Sequence, residues 1–131
     1  MRHFIAYHNP QKMGYPYPGS VHQRVLTNKP VNHLLGNTVW VVSFEGASHD
    51  YSLAGVFQVT EIGETQEASF RHFVAGKGHV FSPWPRIKGM DWFHEIMRAT
   101  AHFSLGVHEM KDSAVIAGLI KTGAQAGYKV E

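Results

Sequence analysis

The chain has 131 residues, 44% of them hydrophobic and 17% charged, which is one domain's worth of a globular protein with a core of its own. Its formal charge of +2 is mildly basic and admits nucleic acid as a partner without requiring it. Cysteine is absent, which excludes disulfides, thiolate metal sites and a cysteine nucleophile, and no apolar run reaches the roughly 20 residues that cross a bilayer.

The N-terminal M-R-H-F-I-A-Y-H-N lacks the long apolar core and small-residue cleavage site of a signal peptide, so a cytoplasmic protein is expected. Within it, residues 2–7 have the aromatic and β-branched content of a strand that breaks at His8-Asn9-Pro10. K-M-G-Y-P-Y-P-G-S carries two glycines and two prolines and is expected to be irregular, with each tyrosine before a proline held extended. Residues 28–35 are expected to hold a short helix, with Val31, Leu34 and Leu35 on one face. The run V-W-V-V-S-F is too continuously apolar for a half-exposed strand and predicts one buried on both faces. Residues 45–50 read as a turn. Residues 51–62 read as one strand in which Gly55 marks a bulge or a close backbone approach.

F-R-H-F-V, A-G-K-G and H-V-F together predict a hairpin closed by glycines. S-P-W-P-R is a stiff connector. Residues 91–103 show helical spacing with Asp91 as N-cap, and residues 112–126 give the clearest helix. Asp112 or Ser113 caps that helix, Val115, Ile116, Leu119 and Ile120 form its apolar face, and Gly127 ends it. The expectation is a single α+β domain over residues 1–131, a small curved mixed sheet or open β-barrel flanked by helices.

Three places carry candidate chemistry. Tyr15 and Tyr17, stiffened by Pro16 and Pro18, read either as stacking faces for a base or methylated cation, or as loop rings packed over the core edge. Trp84, between Pro83 and Pro85, reads either as a stacking face with Arg86 beside a phosphate, or as a plug at the barrel end. His8 and Asn9 close the first strand, where they read either as pocket polar groups or as a simple turn. Trp40 and Trp92 fall in strong apolar patterns and are expected in the core.

Other chemistries find little support. His72, His79, His94, His102 and His108 match no zinc-motif spacing, so no metal site is expected. G-x-S-x-G and the phosphate-binding G-x-x-x-x-G-K-[ST] are absent. Glu61, Glu64 and Glu67 read as a solvated polar loop without an acid–base partner. No catalytic residue and no cofactor is assigned.

F-I-A-Y-H-N, then V-W-V-V-S-F, then L-A-G-V-F-Q-V after a polar turn resemble, in that order, the PUA-like superfamily and within it the EVE and YTH domains. Those domains have a first strand leading to the pocket, an apolar strand of the form V-x-x-F-S-V, and a strand containing G-x-A-x-V. The likeness covers roughly the first half of the chain, and the part from F-R-H-F-V onward does not line up. It implies a non-catalytic module that holds a modified base, flipped from DNA or presented by single-stranded RNA, in an aromatic cage. Tyr15, Tyr17 and Trp84 would then give the faces, and His8, Asn9 and Ser43 the base-edge contacts. Arg71, Lys77, Arg86 and Lys88 would meet the phosphates. A nuclease, fused or associated, is the implied partner besides nucleic acid.

Two other classes stay open. One is a hydrolase of a modified nucleoside on the related ASCH scaffold, for which Lys77 and Glu45 are the available reactive groups. The other is a protein-interaction domain.

Overall fold

A computed structural model describes residues 2–45, 50–103 and 106–129. The described residues form seven strands and three α-helices, in chain order β1 (His3–Tyr7), α1 (Pro10–Met13), β2 (His22–Thr27), β3 (Thr38–Ser43), β4 (Ser52–Gln58), β5 (Glu61–Glu64), β6 (His72–Val80), α2 (Phe93–Ala99), β7 (His108–Met110) and α3 (Ser113–Gln125). The strand order is β2-β6-β4-β3-β1-β7, with β5 added beside β6. Among the described residues only the β1–β3 pair is parallel.

Alternation along the central strands divides the core in two. Phe4, Ala6, Val39, Val41 and Phe57 point into the curl of the sheet with Tyr17, Val25, Leu34 and Val74. Ile5, Trp40, Val42, Leu53 and Val56 point to the opposite face, where they meet Phe93 and Ile96 of α2 and Val115 and Leu119 of α3. Every residue of β3 is buried, as the unbroken apolar run predicts for a strand covered on both sides. Trp40 is fully buried, and its indole N–H donates to His3 Nδ1 at 3.0 Å. Asp112 caps α3 by accepting from the Ala114 and Val115 amides at 2.9 and 3.0 Å.

Of the two alternatives expected at Gly55, the bulge is present, and what comes close to the glycine is a side chain and not another backbone. The β3–β4 register shifts between Val41, opposite Gly55, and Val42, opposite Leu53, so Ala54 is the extra residue of a bulge. A Cβ at Gly55 would overlap Gln23 Oε1.

Several expected boundaries differ. The glycines of A-G-K-G close no hairpin. They lie inside the nine-residue strand β6, which pairs with β2 over residues 72–77. Glycine is needed there because β6 passes close to β4, and a Cβ at Gly76 or Gly78 would overlap the carbonyl of Gln58 or Val56. The strand expected over residues 51–62 breaks after Gln58, because the main chain of Val59 is bonded to Gly36 and Asn37, and β5 then turns onto β6. Residues 28–35 form only a 3-10 turn over Asn32–Leu34, with Val31 and Leu34 buried and Leu35 exposed. Trp92, not Asp91, is the N-cap position of α2, and it has no side-chain cap bond. The turn expected over residues 45–50 falls largely on 46–49, outside the described residues.

Candidate functional site

The sheet curls but does not close. Residues 6–9, at the end of β1, face residues 22–29, from β2 and its exit, across a cleft of about 920 Å³. Gly106 and Val107 complete the wall beside β1, and Gly106 comes so near β2 that a Cβ there would lie 3.0 Å from Thr27 Oγ1.

The β2 strand builds its side of the cleft by an unusual alternation. Its inward residues are Gln23, Val25 and Thr27. Burying a glutamine is tolerable only with its amide satisfied. Gln23 Nε2 donates to the carbonyls of Val56 and His79, at 3.0 and 3.2 Å, and its Oε1 accepts from the Tyr17 hydroxyl at 2.8 Å. The Gly78 amide donates to the Val21 carbonyl, which fixes the phase of the β2–β6 ladder. In that phase the main chains of Gln23, Val25 and Thr27 bond to β6. Those of Arg24 and Leu26 face the open seam, unpaired among the described residues.

At the end of β1, His8 Nε2 lies 2.8 Å from the Tyr15 carbonyl and donates to it, which leaves Nδ1 as an acceptor in the neutral ring. Burial holds the His8 pKa below the ordinary value, partly offset by that hydrogen bond, so the neutral ring prevails at pH 7. The rings of Tyr15 and Tyr17 both lie 5.4 Å from the His8 ring, tilted and edge-on respectively. Asn9 caps the short helix α1, with Oδ1 accepting from the Gln11 and Lys12 amides.

Tyr15 is 41% exposed and Tyr17 only 4%, so the first forms the rim and the second the floor. Burial raises the pKa of both hydroxyls, and for Tyr15 the neighbouring Glu67 adds to the rise. Glu67 also accepts from Arg24 at 2.7 Å and is the only carboxylate among the described lining residues. Lys12 and Lys29 line the cleft without a carboxylate partner among the described residues, so the described lining is electropositive. Phe70 and Phe103 add two further rings.

The cleft thus gathers His8, Asn9, Tyr15 and Tyr17, and does not gather the other expected residues. Ser43 is buried and donates to the His8 carbonyl at 2.8 Å, so it braces the end of β1 from the core side. Trp84 is half-buried against both cores. Arg86 pairs with Asp50 at 3.0 Å, and Lys88 is exposed beyond it on the same connector. Lys77 lies opposite His22 on β6. Arg71 follows Phe70, and its amide donates to Asn28 at the cleft.

The sequence reading missed the whole contribution of β2, together with Lys12, Lys29, Phe70 and Phe103. The available signal was Val25 and Thr27 at alternate positions between the turn formers Gly19-Ser20 and Asn28-Lys29-Pro30. Among the described residues no cluster of three or more metal-ligating side chains exists, and no helix is long and apolar enough to cross a membrane.

No family model and no curated protein matches this chain. Among solved structures it is similar to a hypothetical protein from Leishmania major, at 12% identity and a TM-score of 0.53. That likeness covers 95% of this chain and 96% of the other, so the two share an α+β fold with a curled mixed sheet over nearly their full lengths.

Proposed function

We propose that the chain is a non-catalytic reader of a modified nucleobase, of the PUA-like kind that includes EVE and YTH domains, working in the cytoplasm on DNA or RNA. The observation that carries this reading is the cleft at the open seam. It is large enough for a nucleotide, has Tyr15 at its rim and Tyr17 and His8 beneath, and holds Lys12 and Lys29, which pair with no carboxylate among the described residues. His8 Nδ1 supplies an acceptor and Asn9 Nδ2 a donor, the pair of groups that a base edge needs. The main chain of Arg24 and Leu26, unpaired among the described residues, adds more of both. A nuclease acting on the recognised strand, fused or associated, would be the effector in this reading.

The hydrolase alternative is less well supported. Neither Lys77 nor Glu45 lines the cleft, and Glu67 is engaged by Arg24. For a protein-interaction role the exposed large hydrophobic residues among those described are Tyr15, Val21, Leu35 and Met90, and of these only Tyr15 lines the cleft.

The test is titration with single- and double-stranded oligonucleotides carrying methylated adenine, methylated cytosine or neither, at one fixed moderate salt concentration, because phosphate contacts alone bind any anionic strand. One modified base should bind tightest. Tyr15→Ala should remove that preference, since stacking of one base on one ring contributes about 1–3 kcal/mol. Equal or absent binding to all of them overturns the proposal.

A further inference from the structure

All five non-glycine residues with left-handed backbone among the described residues fall in two short segments, and each segment ends at or beside a phenylalanine that lines the cleft. Ala68 and Ser69, at φ 50° and 66°, immediately precede Phe70. Ala101, His102 and Phe103 itself, at 49°, 57° and 65°, form the other run. Such backbone is costly for residues with a Cβ and persists where surrounding contacts impose it, most often at ligand-contacting sites.

The two rings differ in what they touch. Phe103 stacks on Tyr7 at 4.5 Å and contacts Tyr51, so it belongs to an aromatic cluster on the sheet. Among the described residues Phe70 has no ring neighbour. The Lys12 ammonium lies over it, 4.5 Å from the centroid. The turn that carries Phe70 is tied down on both sides. Glu67 holds Arg24 and Tyr15, the Glu67 amide donates to Thr65 Oγ1, and the Phe70 amide donates to the Glu67 carbonyl.

We infer that Phe70 is a stacking platform for the nucleotide adjacent to the one held in the cleft, with Lys12 taking the phosphate between them. This rests on the proposed nucleobase reading. An exposed cation over an aromatic ring is held more weakly than a stacked base, so an arriving base displaces Lys12 from the ring face. Among the described residues the ammonium pairs with no carboxylate, and the linking phosphate is an anion within its reach. The ligand is thus a strand of at least two nucleotides, and a free nucleoside engages only part of the site.

The experiment compares a modified nucleoside with a short single-stranded oligonucleotide carrying the same modification, on the wild type and on Phe70→Ala, Phe70→Leu, Phe70→Trp and Lys12→Ala. Phe70→Leu keeps the apolar packing without the flat face, and thermal melts report whether each variant is folded. Phe70→Ala and Phe70→Leu should weaken oligonucleotide binding about tenfold and leave nucleoside binding unchanged, while Phe70→Trp keeps oligonucleotide affinity. Lys12→Ala should lower the slope of log affinity against log salt by about one counterion, for the oligonucleotide alone. Equal losses for nucleoside and oligonucleotide, or no loss for either, overturn the platform while leaving the base reading intact. A wild type that discriminates no modified base in either form overturns both.

Discussion

Replacing Gly76 by alanine tests the reading of β6 as one continuous strand. In an open strand, glycine to alanine stabilises by about 0.5–1 kcal/mol, because glycine has more backbone freedom to lose on folding. Here the new Cβ would overlap the Gln58 carbonyl oxygen and lie 2.9 Å from its carbon and 3.2 Å from Phe57 Cδ2. The obstacle is backbone, so it cannot swing aside. The strands must separate locally, at an overpacking cost of about 1–3 kcal/mol. The hydrogen bond from the Thr60 amide to the Ala75 carbonyl, beside the clash, is strained as well and contributes about 1 kcal/mol. The net expectation is a loss of about 2 kcal/mol. At the usual unfolding entropy per residue this lowers the Tm by roughly 7 °C for a chain of this length. The assay is thermal and urea unfolding followed by circular dichroism, with Gly89→Ala as the control. Gly89 has open space around its Cβ position and no positive φ, so that variant should match the wild type. If Gly76→Ala melts with Gly89→Ala, the close passage of β6 over β4 is refuted, and a solvent-exposed turn at those glycines returns as the better description.

Acid should weaken the fold through three histidines, His3, His8 and His108, whose folded pKa values all lie below the ordinary value, with burial the first cause in each case. Their stabilisation is fully present above about pH 6.5, the unfolded value, and is lost as pH falls through it, because the unfolded chain then binds more protons. Protonating His3 at Nδ1 also removes the acceptor for Trp40, so His3→Gln should flatten part of the decline in Tm between neutral and mildly acidic pH, and a steeper decline contradicts this account. Asp112→Ala leaves the Ala114 and Val115 amides without their cap, and should cost about 1 kcal/mol in urea unfolding, whereas an unchanged midpoint refutes the capping role.

What the sequence disclosed follows from how much of each element's energy is local or periodic. β3 was legible because six consecutive buried residues leave one sensible environment. α3 was legible because Asp112 and the Val115–Leu119 spacing agree. β2 was not, because its inward positions include Gln23, whose burial depends on carbonyls of Val56 and His79 that lie far along the chain. The glycines of β6 were misread for a related reason. Local statistics associate glycine pairs with turns, and only the passage of another strand shows that here they provide clearance. In the cleft, His8, Asn9, Tyr15 and Tyr17 could be named because a strand end and a proline-stiffened loop stand out locally. Phe70 and Lys12 meet only through the tertiary fold.

Because the cleft is the gap where the curled sheet fails to close, its width is a property of the whole sheet's curvature and not of the residues that line it. The bulge at Ala54, the missing side chains at Gly76 and Gly78, and the core inside the curl all bear on that curvature, and this core shares Ala6, Tyr17, Val25 and Val107 with the cleft lining. The aperture can therefore be retuned from the core beneath it. A methylene added to or removed from an inner-core residue that does not line it, such as Val39 or Val74, would open or narrow it while every contacting side chain stays the same, which gives this fold a route to new ligand preferences that leaves the recognition surface unaltered.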